Sequence, residues 1–300
     1  MNDLEALRFC VVGPGRLGSA LARALDAAGL TVGAFGVRGG VDASSTPPRL
    51  QLVEAARAAD VIWLAVPDDA IAAVAAQLAR RLGPATVGKL VVHSSGLAGL
   101  AVLGPPRAAG ARVVSLHPLQ TLAAEADDDV FAGVPFAVTA HDETDLVLGS
   151  ALVERLGGLP FALGDERKPL YHLAAAVASN LLVALESEAI ELMNEAIGAA
   201  SKVSGTVAAD DVEGLRVLAP LVRTTAANLL ALGPERALTG PVARGDVSTV
   251  RAHLELLRRY PPRLRETYRA LSLQALALAA PRLDDDTVRT LKELLAPETR

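Results

Sequence analysis

A single cysteine, Cys10, occurs in 300 residues. This excludes an intrachain disulfide and any metal cage built from several cysteines, and it suits a reducing compartment. Aromatic side chains make up only 3% of the chain, so the rings on which single-stranded bases stack are scarce. Basic residues are outnumbered, 29 against 34 acidic, for a net charge of −5. Without a basic run, such a surface repels a phosphate backbone, and no nucleic-acid partner is predicted. The opening Met-Asn-Asp-Leu-Glu lacks the basic-then-apolar pattern of an export signal. The longest uncharged stretches, 90–106 and 169–185, are interrupted by His, Ser, Asn or paired prolines and fall short of the ~20 apolar residues of a bilayer span. A cytoplasmic protein with no membrane partner is the expectation. P-loop lysine, His-Glu-x-x-His, paired-cysteine and Gly-x-Ser-x-Gly patterns are also missing, which removes the carriers of kinase, zinc-hydrolase and serine-hydrolase chemistry; no metal site is predicted.

What is present is a chain that folds. Hydrophobic residues are 51% and charged residues 21%, close to the globular average. The length suits two domains. From Arg8 the chain reads as an apolar strand, a glycine turn and a helix over 19–28, then a second strand over 31–35, which is a βαβ unit. Apolar strands follow at 61–66 and 90–92, with a helix at 70–82 between them and further short strands at 112–116 and 135–139. Near-continuous apolar strands alternating with helices predict an α/β fold, a doubly wound Rossmann-type parallel sheet. After the polar segment Asp165-Glu166-Arg167-Lys168-Pro169 the texture becomes helical, with one long helix from 170 to about 200 and further helices at 212–232, 247–257 and 263–280. The domains are therefore placed at 1–165, a dinucleotide-binding domain, and 166–300, an all-helical domain.

The glycine turn carries the most specific signal. In Gly13-Pro14-Gly15-Arg16-Leu17-Gly18, the first glycine permits a tight turn and the second lets the backbone approach a pyrophosphate. The third lets helix and strand pack closely while the helix N-terminus faces the anion. Its place between an apolar strand and a helix gives the pattern its mechanism. At the end of the second strand stands Gly36-Val37-Arg38, where an NAD site would place a carboxylate on the ribose 2′-hydroxyl. A guanidinium there suits a 2′-phosphate, so NADP(H) is favoured over NAD(H), with Arg16 as a possible second contact; the alternative for Arg38 is a solvated loop residue.

Other polar residues collect at the carboxyl edge of the predicted sheet, where open α/β sheets bind ligands. Val66-Pro67-Asp68-Asp69 ends one strand, with Pro67 turning the chain across the cofactor and Asp68 or Asp69 capping the next helix. His93-Ser94-Ser95-Gly96 and Ser115-Leu116-His117-Pro118 end the next two. His117 is the candidate proton donor for hydride transfer because an imidazole titrates near neutral pH; His141 and His253 have no such setting. In the hinge, Lys168 precedes Pro169 at a helix entrance with its ammonium pointing outward, followed by His172, Ser179 and Asn180 on one broad side. Surface solvation for Lys168 and an interhelical hydrogen bond for Asn180 stand as the plainer readings. In Thr239-Gly240-Pro241-Val242-Ala243-Arg244-Gly245-Asp246, the Arg244 fork suits a substrate carboxylate, or else Arg244 and Asp246 pair or cap the helix that follows.

With these motifs in view, the chain resembles a bacterial family described as Rossmann-like with a domain of unknown function 2520. Its marks here include Val-Gly-Pro-Gly-Arg-Leu-Gly, Ala-Val-Pro-Asp-Asp-Ala-Ile, His-Ser-Ser-Gly, Ser-Leu-His-Pro-Leu-Gln-Thr, Tyr-His-Leu-Ala-Ala-Ala-Val-Ala-Ser-Asn and Leu-Thr-Gly-Pro-Val-Ala-Arg-Gly-Asp. That family is similar to pyrroline-5-carboxylate reductase, ketopantoate reductase and prephenate dehydrogenase, whose Rossmann domain precedes a helical, often dimerising domain of the 6-phosphogluconate dehydrogenase C-terminal type. The resemblance implies Ser94 or Ser95 and His117 beside the nicotinamide, and a homodimer through the helical domain. Ketopantoate and hydroxyacid enzymes use a Lys and an Asn on the interdomain helix, but the spacing of Lys168 and Asn180 departs from theirs. The combined expectation is an NADP(H)-dependent oxidoreductase acting on a small carboxylate-bearing carbonyl, imine or hydroxyl compound. Gly13 to Gly18, Arg38, Val66, Pro67, Asp68 and Ser94 would hold the cofactor, His117, Lys168, His172 and Asn180 would serve catalysis, and Ser95 and Arg244 would contact substrate. A dinucleotide site alone is not an activity, so a non-catalytic NADP(H)-binding sensor or scaffold is the alternative.

Overall fold

The computed structural model describes residues 4–122, 129–198 and 210–297. Its contacts divide into two compact units, 1–180 and 181–300. In the first unit the elements run β1 (Arg8–Val12), α1 (Arg16–Ala27), β2 (Thr31–Val37), β3 (Arg49–Gln51), α2 (Leu52–Arg57), β4 (Val61–Leu64), α3 (Asp68–Leu82), β5 (Leu90–His93), α4 (Gly104–Ala108), β6 (Arg112–Pro118), β7 (Pro135–Ala140), α5 (Glu143–Arg155), β8 (Leu159–Ala162) and α6 (Lys168–Ala178).

The strands form one sheet in the order β3-β2-β1-β4-β5-β6-β7-β8. All pairs from β3 to β6 are parallel, β7 is antiparallel to β6, and β8 is parallel to β7. Successive strand residues point to opposite faces, so Phe9, Val11, Trp63, Val92 and Val114 fill one core layer while Cys10, Val12, Ile62, Leu64, Val91 and Val113 fill the other. Both faces are covered, which is why these strands read as continuous apolar runs. The order reverses between β1 and β4, and the crevice at their carboxyl ends is the usual ligand position in open α/β sheets.

Three departures from the sequence reading have physical reasons. Strand β6 extends two residues beyond 116, because the antiparallel neighbour β7 pairs His117 with Ala137 and Pro118 with Phe136. Strand β3 is only three residues long, too short to show a period. The helix expected from 170 to about 200 is two helices, since Ser179 leaves helical geometry at φ −121° and ψ −69°; no proline or glycine marks that break. The expected end near 200 lies outside the described residues. The first compact unit runs to 180, and Lys168 at the start of α6 is buried against the sheet edge.

The second unit is helical, with α7 (Asn180–Ala196) leading in, then α8 (Asp210–Leu232), α9 (Pro234–Ala237), α10 (Val247–Leu256), α11 (Pro262–Ala279) and α12 (Asp285–Leu295). Helices α10 and α12 are capped by Asp246 and Asp284, which accept from the backbone N–H of Thr249 at 3.0 Å and of Thr287 at 2.9 Å. A small core of Val242, Val250, Leu254, Leu276, Leu291 and Leu295 holds this end together. Two helical stretches, Asp165–Ala196 and Glu213–Leu232, are long and apolar enough to cross a bilayer by length and composition, with mean hydropathies of 1.5 and 1.3 and no buried share in their most apolar windows. The count of uncharged residues alone does not reveal this.

Candidate active site

The turn from β1 to α1 is built by its glycines. Gly13 has φ +99°, and a Cβ there would sit 2.6 Å from the Ala65 carbonyl oxygen, so a side chain is excluded twice over. At Gly18 a Cβ would fall 1.9 Å from the Gly13 oxygen, which lets the first turn of α1 lie directly on the loop. Gly15 has nothing within 4 Å of the same position. It is the N-cap of α1, and no side chain caps that helix. Backbone N–H groups at an uncapped helix start, with open space before them, fit an anionic diphosphate.

A cleft of about 280 Å³ opens over this loop, lined by Gly13, Pro14, Gly15, Gly36, Arg38, Val66 and Pro67 with an apolar wall from Leu52, Ala70 and Val74. Arg38 is exposed at its rim, one residue past β2. Arg16 is exposed at the first residue of α1, and Leu17 packs against the core.

Beyond the cleft, the ends of β4, β5 and β6 and the start of α6 assemble a polar cluster. Ser95 is buried; its hydroxyl donates to Asp68 Oδ2 at 2.6 Å and accepts from the backbone N–H of Ala98 at 2.8 Å. Asp68 therefore holds Ser95 rather than capping α3, whose N-cap position is Pro67. Ser94 accepts from the Trp63 indole at 2.8 Å. Lys168 is the main reversal. Its ammonium does not point outward: the side chain is 0% exposed and Nζ donates to the Ser95 carbonyl at 2.9 Å and to Ser115 Oγ at 2.8 Å. Burial pulls its pKa down to about 8, against the opposing pull of Asp165 and Asp68.

His117 stands over this platform, with Nδ1 2.7 Å from the Tyr171 hydroxyl and the two rings edge-on at 5.5 Å. Burial depresses the His117 pKa to about 4, and the Lys168 charge and His172 push the same way. The expectation of an imidazole tuned near neutral pH is thereby replaced: His117 is a neutral ring at pH 7. His172 lies 6.4 Å away ring to ring, with its buried Nδ1 unpartnered. Both His117 Nε2 and His172 Nδ1 come within 2.8 Å of the point where a Cβ on Gly96 would sit, so the Gly96 turn is the floor on which the two imidazoles meet. His93 is buried at the end of β5, accepts from the Ser95 N–H at 3.2 Å, and is held neutral by burial.

Two further candidates stand on other elements. Asn180 is exposed at the first residue of α7, past the break at Ser179. Arg244 belongs to the second unit, where Asp246 caps α10 and is kept well below the usual carboxylate range, at about 2, chiefly by its hydrogen bonds from Thr249 and Ser248. Among the described residues, no group of three or more His, Cys, Asp or Glu side chains is placed to hold a metal ion.

Tyr171, Ser115 and His93 were not singled out from the sequence as site residues. Two signals were available. Ser115 and His117 alternate on one face of β6, and 168, 171 and 172 are spaced i, i+3, i+4, which aligns Lys168, Tyr171 and His172 on one face of α6.

The sheet order, the glycine loop and the helical second part define a Rossmann-like α/β protein with a helical C-terminal region. Residues 3–118 match the Rossmann-like domain family, and residues 134–275 match the Domain of unknown function (DUF2520). None of the curated proteins compared matches it. Among solved structures, it is similar to a "putative NADP oxidoreductase" from Bacteroides fragilis, with 22% identity, TM-score 0.71, and coverage of 92% of this chain and 100% of that one. A protein from Thermotoga maritima has 22% identity, TM-score 0.62, and coverage of 91% and 99%. Pyrroline carboxylate reductase from Plasmodium falciparum, solved with NADP bound, has 15% identity, TM-score 0.54, and coverage of 98% and 100%. At these identities the likeness is one of fold.

Proposed function

We propose that this chain is an NADP(H)-dependent oxidoreductase acting on a small carboxylate-bearing carbonyl, imine or hydroxyl compound. The observation that carries the reading is the uncapped start of α1, where Gly15 faces open space at the base of a cleft rimmed by Arg38. The diphosphate would lie on the 13–18 loop, the adenine against Leu52, Ala70 and Val74, and a 2′-phosphate beside Arg38. The names of the similar structures support the same cofactor class.

When bound, the nicotinamide supplies or accepts a hydride. This chain supplies the proton side of the chemistry. His117 is the favoured proton partner of the reacting oxygen or nitrogen, and a neutral imidazole can act there as an N–H donor that polarises the bond. Lys168, already engaged with Ser95 and Ser115, acts on the site by tying β5, β6 and α6 together.

The exposed leucines and valines of the helical region, such as Leu182, Val183, Leu221 and Leu230, support a homodimer through that region. A cytoplasmic location is proposed with it, in line with the single cysteine and a reducing compartment.

Calorimetric titration with NADPH and NADH tests the binding step, and a screen of 2-oxo acids and cyclic imines for loss of reduced-nicotinamide absorbance tests turnover. No heat with either coenzyme would sink the proposal; binding without turnover of any substrate would favour a non-catalytic sensor.

A further inference from the structure

We infer that Tyr171 selects the tautomer of His117: its hydroxyl donates to Nδ1, leaving the ring proton on Nε2, the nitrogen that faces the Gly96 turn. This deepens the role proposed for His117 and rests on that reading only for its catalytic meaning.

The geometry is specific on both sides of the ring. Tyr171 Oη lies 2.7 Å from Nδ1 with the rings perpendicular, at 88°. Phe161 packs edge-on against Tyr171 at 6.0 Å and so limits where the phenol can swing. A neutral imidazole has one N–H, so the partner of each nitrogen decides which one carries it. A phenol can donate or accept. On the opposite side, Nε2 and the buried, unpartnered Nδ1 of His172 each lie 2.8 Å from the position a Cβ on Gly96 would take. Among the described residues the Tyr171 hydroxyl has its hydrogen bond with His117 Nδ1. By donating there the phenol uses its proton, whereas accepting from an Nδ1–H would leave its own O–H without a protein acceptor.

The charged and titratable groups around His117 are compatible with this. Burial first, then Lys168 and His172, disfavour an imidazolium, and Asp68 favours it. Burial pushes the Tyr171 phenol up to about 12, so near neutral pH the phenol keeps its proton beside a neutral imidazole. Tyr171 is thus a positioning residue whose effect is to present an Nε2–H donor to a substrate atom.

Nitrogen-15 NMR of the histidine rings reads the tautomer directly in the full-length protein without coenzyme, with His117 assigned by its disappearance in His117→Asn. The expected result near neutral pH is a protonated-type Nε2 and an unprotonated-type Nδ1. In Tyr171→Phe, which keeps the aromatic contact with Phe161, the preference should relax toward a mixture. A wild-type Nδ1–H signal would overturn the assignment, as would a Tyr171→Phe spectrum with the Nε2–H tautomer unchanged. Should Tyr171→Phe fail to fold, a wild-type Nδ1–H signal would still overturn the assignment. NADPH calorimetry on the same samples separates the two ideas, because absent binding removes the proposed function and leaves the tautomer result standing. With a turned-over substrate in hand, Tyr171→Phe should lower kcat by about tenfold or more with KM little changed.

Discussion

Lys168 Nζ donates to Ser115 Oγ at 2.8 Å from a side chain with no exposed surface. One ammonium thereby joins the start of α6 to the edge of the sheet. Its pKa falls from 10.5 to about 8 on burial, which gives stability a definite dependence on pH. Below about pH 8 the group is charged in both folded and unfolded chains, and the cost of burying that charge is fully present. Between about 8 and 10.5 the unfolded chain binds more protons, so this group makes stability rise with pH, by on the order of 3 kcal/mol at most. Cys10 and Tyr171, both pushed up to about 12, act in the opposite direction. The comparison must therefore be made with Lys168→Met: urea unfolding across this window should show a more positive pH slope for the wild type than for the variant. Equal slopes would mean that the buried ammonium does not titrate as described.

Gly96 is required for a reason other than backbone freedom. Its added methyl would sit 2.8 Å from both His117 Nε2 and His172 Nδ1, and the first of these rings is held by its hydrogen bond with Tyr171. Gly96→Ala should cost about 1–3 kcal/mol of stability, the usual range for overpacking, and should displace the imidazole resonances. NADPH binding should persist, because the 13–18 loop is untouched; chemical denaturation and calorimetry read the two effects separately.

Gly13→Ala should do the reverse. A side chain at φ +99°, with its Cβ 2.6 Å from the Ala65 oxygen, costs at least about 1–3 kcal/mol in strain and moves the floor of the cleft. The expected outcome is lost coenzyme binding in a destabilised protein, seen in a titration carried out well below its melting temperature. Retained affinity would place the dinucleotide elsewhere.

Arg38→Ala separates the two coenzymes. Losing one charge-assisted contact worth about 1.5–3 kcal/mol should weaken NADPH binding by about ten- to a hundredfold. NADH affinity should barely change, and added salt should shrink the wild-type preference for NADPH. An unchanged NADPH/NADH ratio would return Arg38 to the role of a solvated loop residue.

Much of the molecule was legible along the chain because its signals are local. A glycine that must adopt positive φ, a strand that is apolar at every position and a helix that begins where a glycine turn ends are each decided within a few residues. Rossmann architecture, the place of the 13–18 loop and the helical texture of the second part follow from them. The helix break at Ser179 left no such mark, and the three residues of β3 are too few for any period to show.

Amino-acid order by itself determined which strands are buried on both faces and where a glycine turn leaves the start of α1 uncapped, since both depend on neighbours in the chain. Only the tertiary structure decided what the polar residues do. Lys168 became a buried strut because residues 73 and 53 positions away supply its acceptors, and His117 became a neutral ring because packing removed the water that would stabilise its charge. Protonation states and hydrogen-bond partners are set by what surrounds a group in space, and that surrounding is assembled from segments far apart in sequence.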